Sequence, residues 1–189
     1  ELADGEVIVK ALLPVDEFND YFKTYLNENG SDTIGGLISQ TLGHIPQRDE
    51  KLKIDQMSEA QQQRIELIHG SLLYRDERLY GFDAAAIVEV IEHLDEDRLA
   101  TFEKILFGFS RPKTIVITTP NSEYNVKYEL EEGKMRHTDH RFEWSRQEFN
   151  DWSSRVSEMY NYSVAIELIG ELDETVGASS QMAIFKKMA

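Results

Sequence analysis

The sequence has no cysteine, no apolar run as long as a bilayer-crossing helix needs, and few basic residues for its acids. It carries 20 Lys and Arg against 35 Asp and Glu, a formal net charge of -15. Without thiols there is no disulfide scaffold and no thiolate metal site, which fits a reducing cytoplasm. Without a run of about 18 apolar residues, no helix spans or inserts into a membrane. The acidity argues against a broad phosphate-binding surface, because affinity for nucleic acid rests largely on Lys and Arg. It leaves room for a local basic patch such as KMRHTDHR, with Lys134, Arg136, His137, His140 and Arg141. The chain opens ELADGE, neither a signal peptide nor an initiator methionine, and reads as a piece of something longer. Its 189 residues suffice for one medium domain or two small ones.

Two parts are expected, residues 1–55 and 56–189. In the first, EVIVKALLP alternates as a strand. Pro14 then opens a helix in which Val15, Phe18, Phe22 and Leu26 share a face, with Asp16 and Glu17 in the first turn. TIGGLISQTLG reads as a second helix, capped by Ser31 or Asp32 and ended by Gly43. Gly35-Gly36 lies inside that pattern with no phosphate-loop signature around it, so close helix packing explains it better. KLKID is a short strand. In the second part, residues 64–69 and the runs FDAAAIV and KTIVITTP read as strands. FDAAAIV and KTIVITTP are apolar enough to be buried on both faces of a sheet. DEDRLATFEKILFGF and SRQEFNDWSSRVSEMYN read as helices, the latter with a Ser145–Glu148 capping box. SVAIELIG and QMAIFKKM are late strands. This alternation implies an α/β, mostly parallel sheet with its site at the strand carboxyl ends.

At such an end stands EVIEHL. If it turns into a helix, Glu89, Glu92 and His93 share one face at spacings of three and four. Two carboxylates and an imidazole suit Mg, Mn, Fe, Co or Zn, and RHTDH offers a further ligand from His137, Asp139 or His140. HExxH is absent, and the inverted HxxEH would need histidine where Glu89 stands. The bland alternative is a solvated helix start whose acids favour the macrodipole, and spacing alone favours it. His44 and His69 have no such company.

Two resemblances go further. DGEVIVKALLPVDEFNDYF, DTIGGLISQTLGHIP and EKLKID resemble the CorC/HlyC transporter-associated domain over about residues 1–55, a small α/β regulatory module. RIELIHGSLLYRDERLYGFDAAAIVEVIEHLD, TIVITTPNSEYNV and RHTDHRFEWSRQEF resemble the bacterial HEN family over about residues 56–187. That resemblance implies a Rossmann-like class I methyltransferase fold with strand order 3-2-1-4-5-7-6. It also implies S-adenosylmethionine-dependent methylation of the 2′-hydroxyl of an RNA 3′-terminal ribose. Glu89, Glu92, His93 and His140 would hold Mg or Mn, Ser71 would contact the cofactor, and Arg136 would sit near the RNA end. His93 or His140 would take the hydroxyl proton. An ion touching both terminal hydroxyls would select RNA over DNA and an unblocked end. An RNA end-healing and ligating partner is implied as well. Phe142 and Trp144 read as core first and as base-stacking residues second.

The family's first two strands, with their acidic glycine-rich loop, have no counterpart here. The eleven glycines include no D-x-G-x-G arrangement, so the expected fold is partial. EVIVKALL and KLKID are expected to fill the gap beside FDAAAIV. Two other functions compete with the enzyme: a non-catalytic regulatory binding module, and a chimera without an evolved activity of its own.

Overall fold

A computed structural model describes residues 14–27, 30–44, 70–128, 130 and 134–188. The strands expected before Pro14, at KLKID and at 64–69 lie outside the described residues, as does the expected pairing beside FDAAAIV. The chain divides into two compact units, Glu1–Ser71 and Leu72–Ala189.

In the first unit, helix α1 spans Val15–Phe22 and α2 spans Ile34–Leu42. Pro14 precedes α1, where its fixed φ and missing N–H cost little. The helix ends sooner than its apolar spacing suggests, because Lys23 turns left-handed with φ 53°. The Asn19 side chain then holds the return: its Oδ1 accepts from Thr24 Oγ1 and Leu26 N, each at 2.7 Å, and its Nδ2 donates to Leu26 O at 2.8 Å. Leu26 is therefore buried from a loop and not from the helix. The cap of α2 is Thr33, whose Oγ1 accepts from Gly36 N at 3.2 Å, so neither Ser31 nor Asp32 holds that place. A Cβ on Gly36 would meet Thr33 Oγ1 at 3.2 Å and Ser31 Cβ at 3.3 Å, so the glycine lets the cap segment lie close.

The second unit carries a four-stranded sheet in the order β1-β2-β4-β3. The strands are β1 (Ala84–Val88), β2 (Thr114–Pro120), β3 (Tyr162–Ile169) and β4 (Ser180–Lys187). β1 and β2 are parallel, and β4 runs antiparallel to both β2 and β3. This is the 4-5-7-6 end of the class I order, where the reversed last strand makes the sheet mixed. Helix α3 (Glu96–Glu103) continues as a π-helical segment, Lys104–Ser110, where one α-helix was expected throughout. Helix α4 (Arg146–Tyr160) begins with the expected capping box.

One sheet face makes the core. In register, Ile87 stands beside Ile117 and Ile117 beside Ala183, while Ile115 pairs with Phe185 and Phe185 with Val164. Phe102, Leu106 and Phe107 from α3 and its extension, with Phe149, Trp152 and Val156 from α4, cover that face. The opposite face is barer than the apolar run FDAAAIV suggests: Ala84, Ala86 and Ala165 are exposed, and Val116 and Ile184 are half-buried.

A charged pin crosses the covering layer. Glu103 is buried and accepts from Trp152 Nε1 at 2.8 Å, and from Arg155 Nη2 at 2.7 Å and Nη1 at 3.0 Å. Glu103→Ala strands a buried indole N–H, and should cost the unit about 2–4 kcal/mol in denaturant unfolding. Glu103→Gln keeps one acceptor and should cost about 1 kcal/mol. Equal losses in the two variants would show that the indole bond is not the term that matters.

Candidate functional site

β1 and β2 run parallel, so their carboxyl ends open side by side. At the end of β1 the chain reverses through Glu89, which takes the left-handed φ of 49°. The chain then makes a 3-10 turn, Ile91–His93, and not the α-helix the spacing invited. Glu89 and Glu92 each find a different threonine on β2. Thr118 Oγ1 donates to Glu89 Oε1 at 2.9 Å, and Thr119 Oγ1 donates to Glu92 Oε2 at 3.0 Å. Glu92 is wholly buried (0% exposed), which for a carboxylate demands compensation.

The second half of the site arrives from the segment around residues 136–144. Arg141 N donates to Glu92 O at 2.7 Å and pins RHTDHR onto the turn. Downstream, Ser122 N and Gln181 Nε2 both donate to Trp144 O, at 3.1 and 3.0 Å, fixing the segment against the end of the sheet. His140 is thereby set edge-on to His93, their ring centres 4.9 Å apart. Glu92, His93 and His140 each offer a ligand atom, and these atoms lie within 4.8 Å of one another. Glu89, held by Thr118, is not one of the three. His137, which is exposed, sits 5.7 Å from His140 and 6.1 Å from His93 by ring centres. Asp139 Oδ2 lies 3.9 Å from His93 Nδ1.

Behind His140 stands a residue the sequence reading missed. Glu143 Oε1 lies 2.5 Å from His140 Nδ1 and accepts from Arg136 N at 2.8 Å, while Oε2 accepts from Asn125 Nδ2 at 2.5 Å. Burial pushes the Glu143 carboxyl up. The bonds from Asn125, His140 and the Arg136 N–H outweigh burial and hold it below the usual carboxylate range. The only sequence signal was the i, i+3 spacing in HRFE.

Arg136, expected beside a bound RNA end, spends its guanidinium on the protein. It donates to Asn125 Oδ1 at 2.6 Å, to Ser179 O at 2.6 Å and to Asn121 O, and lies 5.0 Å over the Tyr128 ring. It thus clamps the 3-10 turn Ser122–Tyr128. Phe142 is buried in the core, and Trp144 packs against it. Ser71 falls in the other unit.

Among solved structures, the methyltransferase domain of bacterial CtHen1-C is 51% identical to this chain with a TM-score of 0.63, covering 71% of this chain and 67% of that one. The chain belongs to the Hen1 family of methyltransferases. A small RNA methyltransferase HEN1 structure is 37% identical with a TM-score of 0.59, over 64% of this chain and 15% of its own. The small RNA 2′-O-methyltransferase of Rattus norvegicus is 44% identical over 126 residues, and that of Xenopus tropicalis 42% over 126. The chain spans about a third of these two proteins (32% and 34% of their lengths). The Hen1 likeness, at 71% of the chain, reaches beyond the second unit but leaves most of the first unaccounted for. Residues 1–69 match the CorC_HlyC transporter-associated domain, which extends that resemblance past residue 55. No helix among the described residues is long and apolar enough to cross a membrane.

Proposed function

We propose that the second unit supplies the cation-binding and RNA-end-binding half of a 2′-O-methyltransferase acting on an RNA 3′-terminal ribose. The convergence of Glu92, His93 and His140 carries this reading. Their donor set fits a divalent ion, with a buried carboxylate oxygen and two imidazoles held by partners behind them. Of Mg and Mn, the imidazole pair favours Mn. Bound by these three, with Glu89 as the further donor, the ion would supply Lewis acidity toward the two neighbouring hydroxyls of the ribose. A ring nitrogen that holds the ion keeps no lone pair, so His93, its Nδ1 facing Asp139, would accept the 2′-hydroxyl proton only through an Nε2 not committed to the ion. Arg136 holds the Ser122–Tyr128 turn with three of its five N–H donors, which leaves two for an RNA end.

The expected methyl donor is S-adenosylmethionine. The residues present do not by themselves fit it: the sequence has no D-x-G-x-G loop. The match of residues 1–69 to a transporter-associated domain favours a second reading, a binding module that keeps the cation site without catalysis. Calorimetric titration of the full chain with S-adenosylmethionine separates the two, since only the enzyme binds it.

Both readings share a test. With Mn2+ present, an RNA oligonucleotide ending in a 2′,3′-diol should bind at least about tenfold tighter than one ending in 2′-deoxyribose, a difference of ~1.4 kcal/mol. Removing the cation should erase the preference. Equal affinity for the two ends, with and without Mn2+, would refute the proposed contact. The cytoplasm and an RNA end-healing and ligating partner remain part of the proposal.

A further inference from the structure

We propose that Glu143 is a positioning residue: it fixes His140 in the Nδ1–H tautomer and so leaves Nε2 as the nitrogen that meets the cation. This rests on the cation reading of Glu92, His93 and His140.

Three nitrogens converge on Glu143. His140 Nδ1 lies at 2.5 Å, Asn125 Nδ2 at 2.5 Å and the Arg136 backbone N–H at 2.8 Å. An ionised carboxylate only accepts, so the nitrogen facing it must carry hydrogen. A neutral imidazole has one such nitrogen, and its other nitrogen then offers a lone pair. The His140 and Glu143 side chains are 8% and 2% exposed, so water does not compete for the bond. The remaining bonds keep Glu143 from swinging away. Asn125 is itself held by Arg136 through its Oδ1, which closes a ring of bonds from Arg136 through Asn125 to Glu143 and back to the Arg136 N–H. Buried carboxylates behind ligating histidines set ring orientation and basicity, and their loss costs about 10–100-fold in metal affinity.

The test uses the full chain with 15N-labelled histidine. In the metal-free protein, with its imidazoles neutral, two-dimensional NMR should show hydrogen on His140 Nδ1. In Glu143→Gln the amide brings an NH2 against one of three donors, and the Nε2–H form should become populated. Mn2+ affinity, read by electron paramagnetic resonance, should fall about 10–100-fold in that variant. In a His140→Ala background the same change should cost no more than about twofold, because Glu143 acts through His140. Glu143→Asp keeps the charge with shorter reach. It should retain Nδ1–H and recover part of the affinity, and it replaces Glu143→Gln if that variant does not fold. Hydrogen on Nε2 in the wild type, an unchanged tautomer in Glu143→Gln, or a full further loss in the His140→Ala background would each overturn the proposal. If the wild type binds no Mn2+, the cation reading falls, while the tautomer still decides what Glu143 does.

Discussion

His140→Ala should lower Mn2+ affinity by more than about 100-fold, beyond the range seen when only a residue behind a ligand is lost. Stability should hardly change. Glu143 loses one donor and keeps those from Asn125 and the Arg136 N–H, so the expected cost is about 1 kcal/mol. Glu92→Gln sharpens the contrast. It keeps the shape that Thr119 donates to, and removes a charge from a site with 0% exposure. A neutral amide of the same shape also escapes the desolvation cost that a buried carboxylate carries, so the fold should lose little. Its Mn2+ affinity should nonetheless fall by a similar factor. Affinity lost far out of proportion to the small shift in the denaturation midpoint marks a site made for a ligand. Unchanged Mn2+ binding in both variants would end the cation reading, and loss of affinity only in step with unfolding would reduce it to packing.

Much of this site was legible because its parts sit at sheet ends that patterning locates. The apolar runs of β1 and β2 and the capping box at Ser145 place EVIEHL and RHTDHR at the carboxyl edge. What was not legible is the direction of each side chain. Spacing of three and four assumes α-helical geometry, but Glu89 is left-handed and the turn after it is 3-10. Nothing local in EVIEHL announces this, since the reversal is fixed by bonds to Thr118 across the sheet. Glu143 stayed hidden for a related reason: a carboxylate that serves a histidine looks, in sequence, like any surface acid. In the first unit, Asn19 shows the same blindness. Its side chain ends α1 early by binding residues 24 and 26, while the apolar periodicity continues through Leu26. The exposed Ala84 and Ala86 mark the opposite failure. Alanine counts as apolar in any pattern, yet it has little surface to bury and tolerates either face.

Phe107→Ala should destabilise the second unit by about 3–5 kcal/mol, a large share of the roughly 5–15 kcal/mol that holds a domain together. Phe107 is wholly buried in the π-helical segment. Its ring stacks on Tyr160 at 5.8 Å and meets Tyr162 and Phe185 edge-on at 5.5 and 4.9 Å. The sheet beneath cannot close over the void, because Phe185 is registered between Ile115 and Val164 and the Tyr162 hydroxyl is tied to Pro112 O at 2.8 Å. Denaturant unfolding followed by tryptophan fluorescence measures the loss, and a value under about 1 kcal/mol would mean that the aromatic layer collapses around the gap. The same measurement ties the core to the site. A ligand that binds only the folded state stabilises it by about 2.7 kcal/mol at 100 times its Kd. Saturating Mn2+ should therefore restore much of what Phe107→Ala loses, because the site is built on strand ends and loops that the substitution does not touch. It should restore nothing once His140→Ala is added, since the fold would then have no cation to favour it.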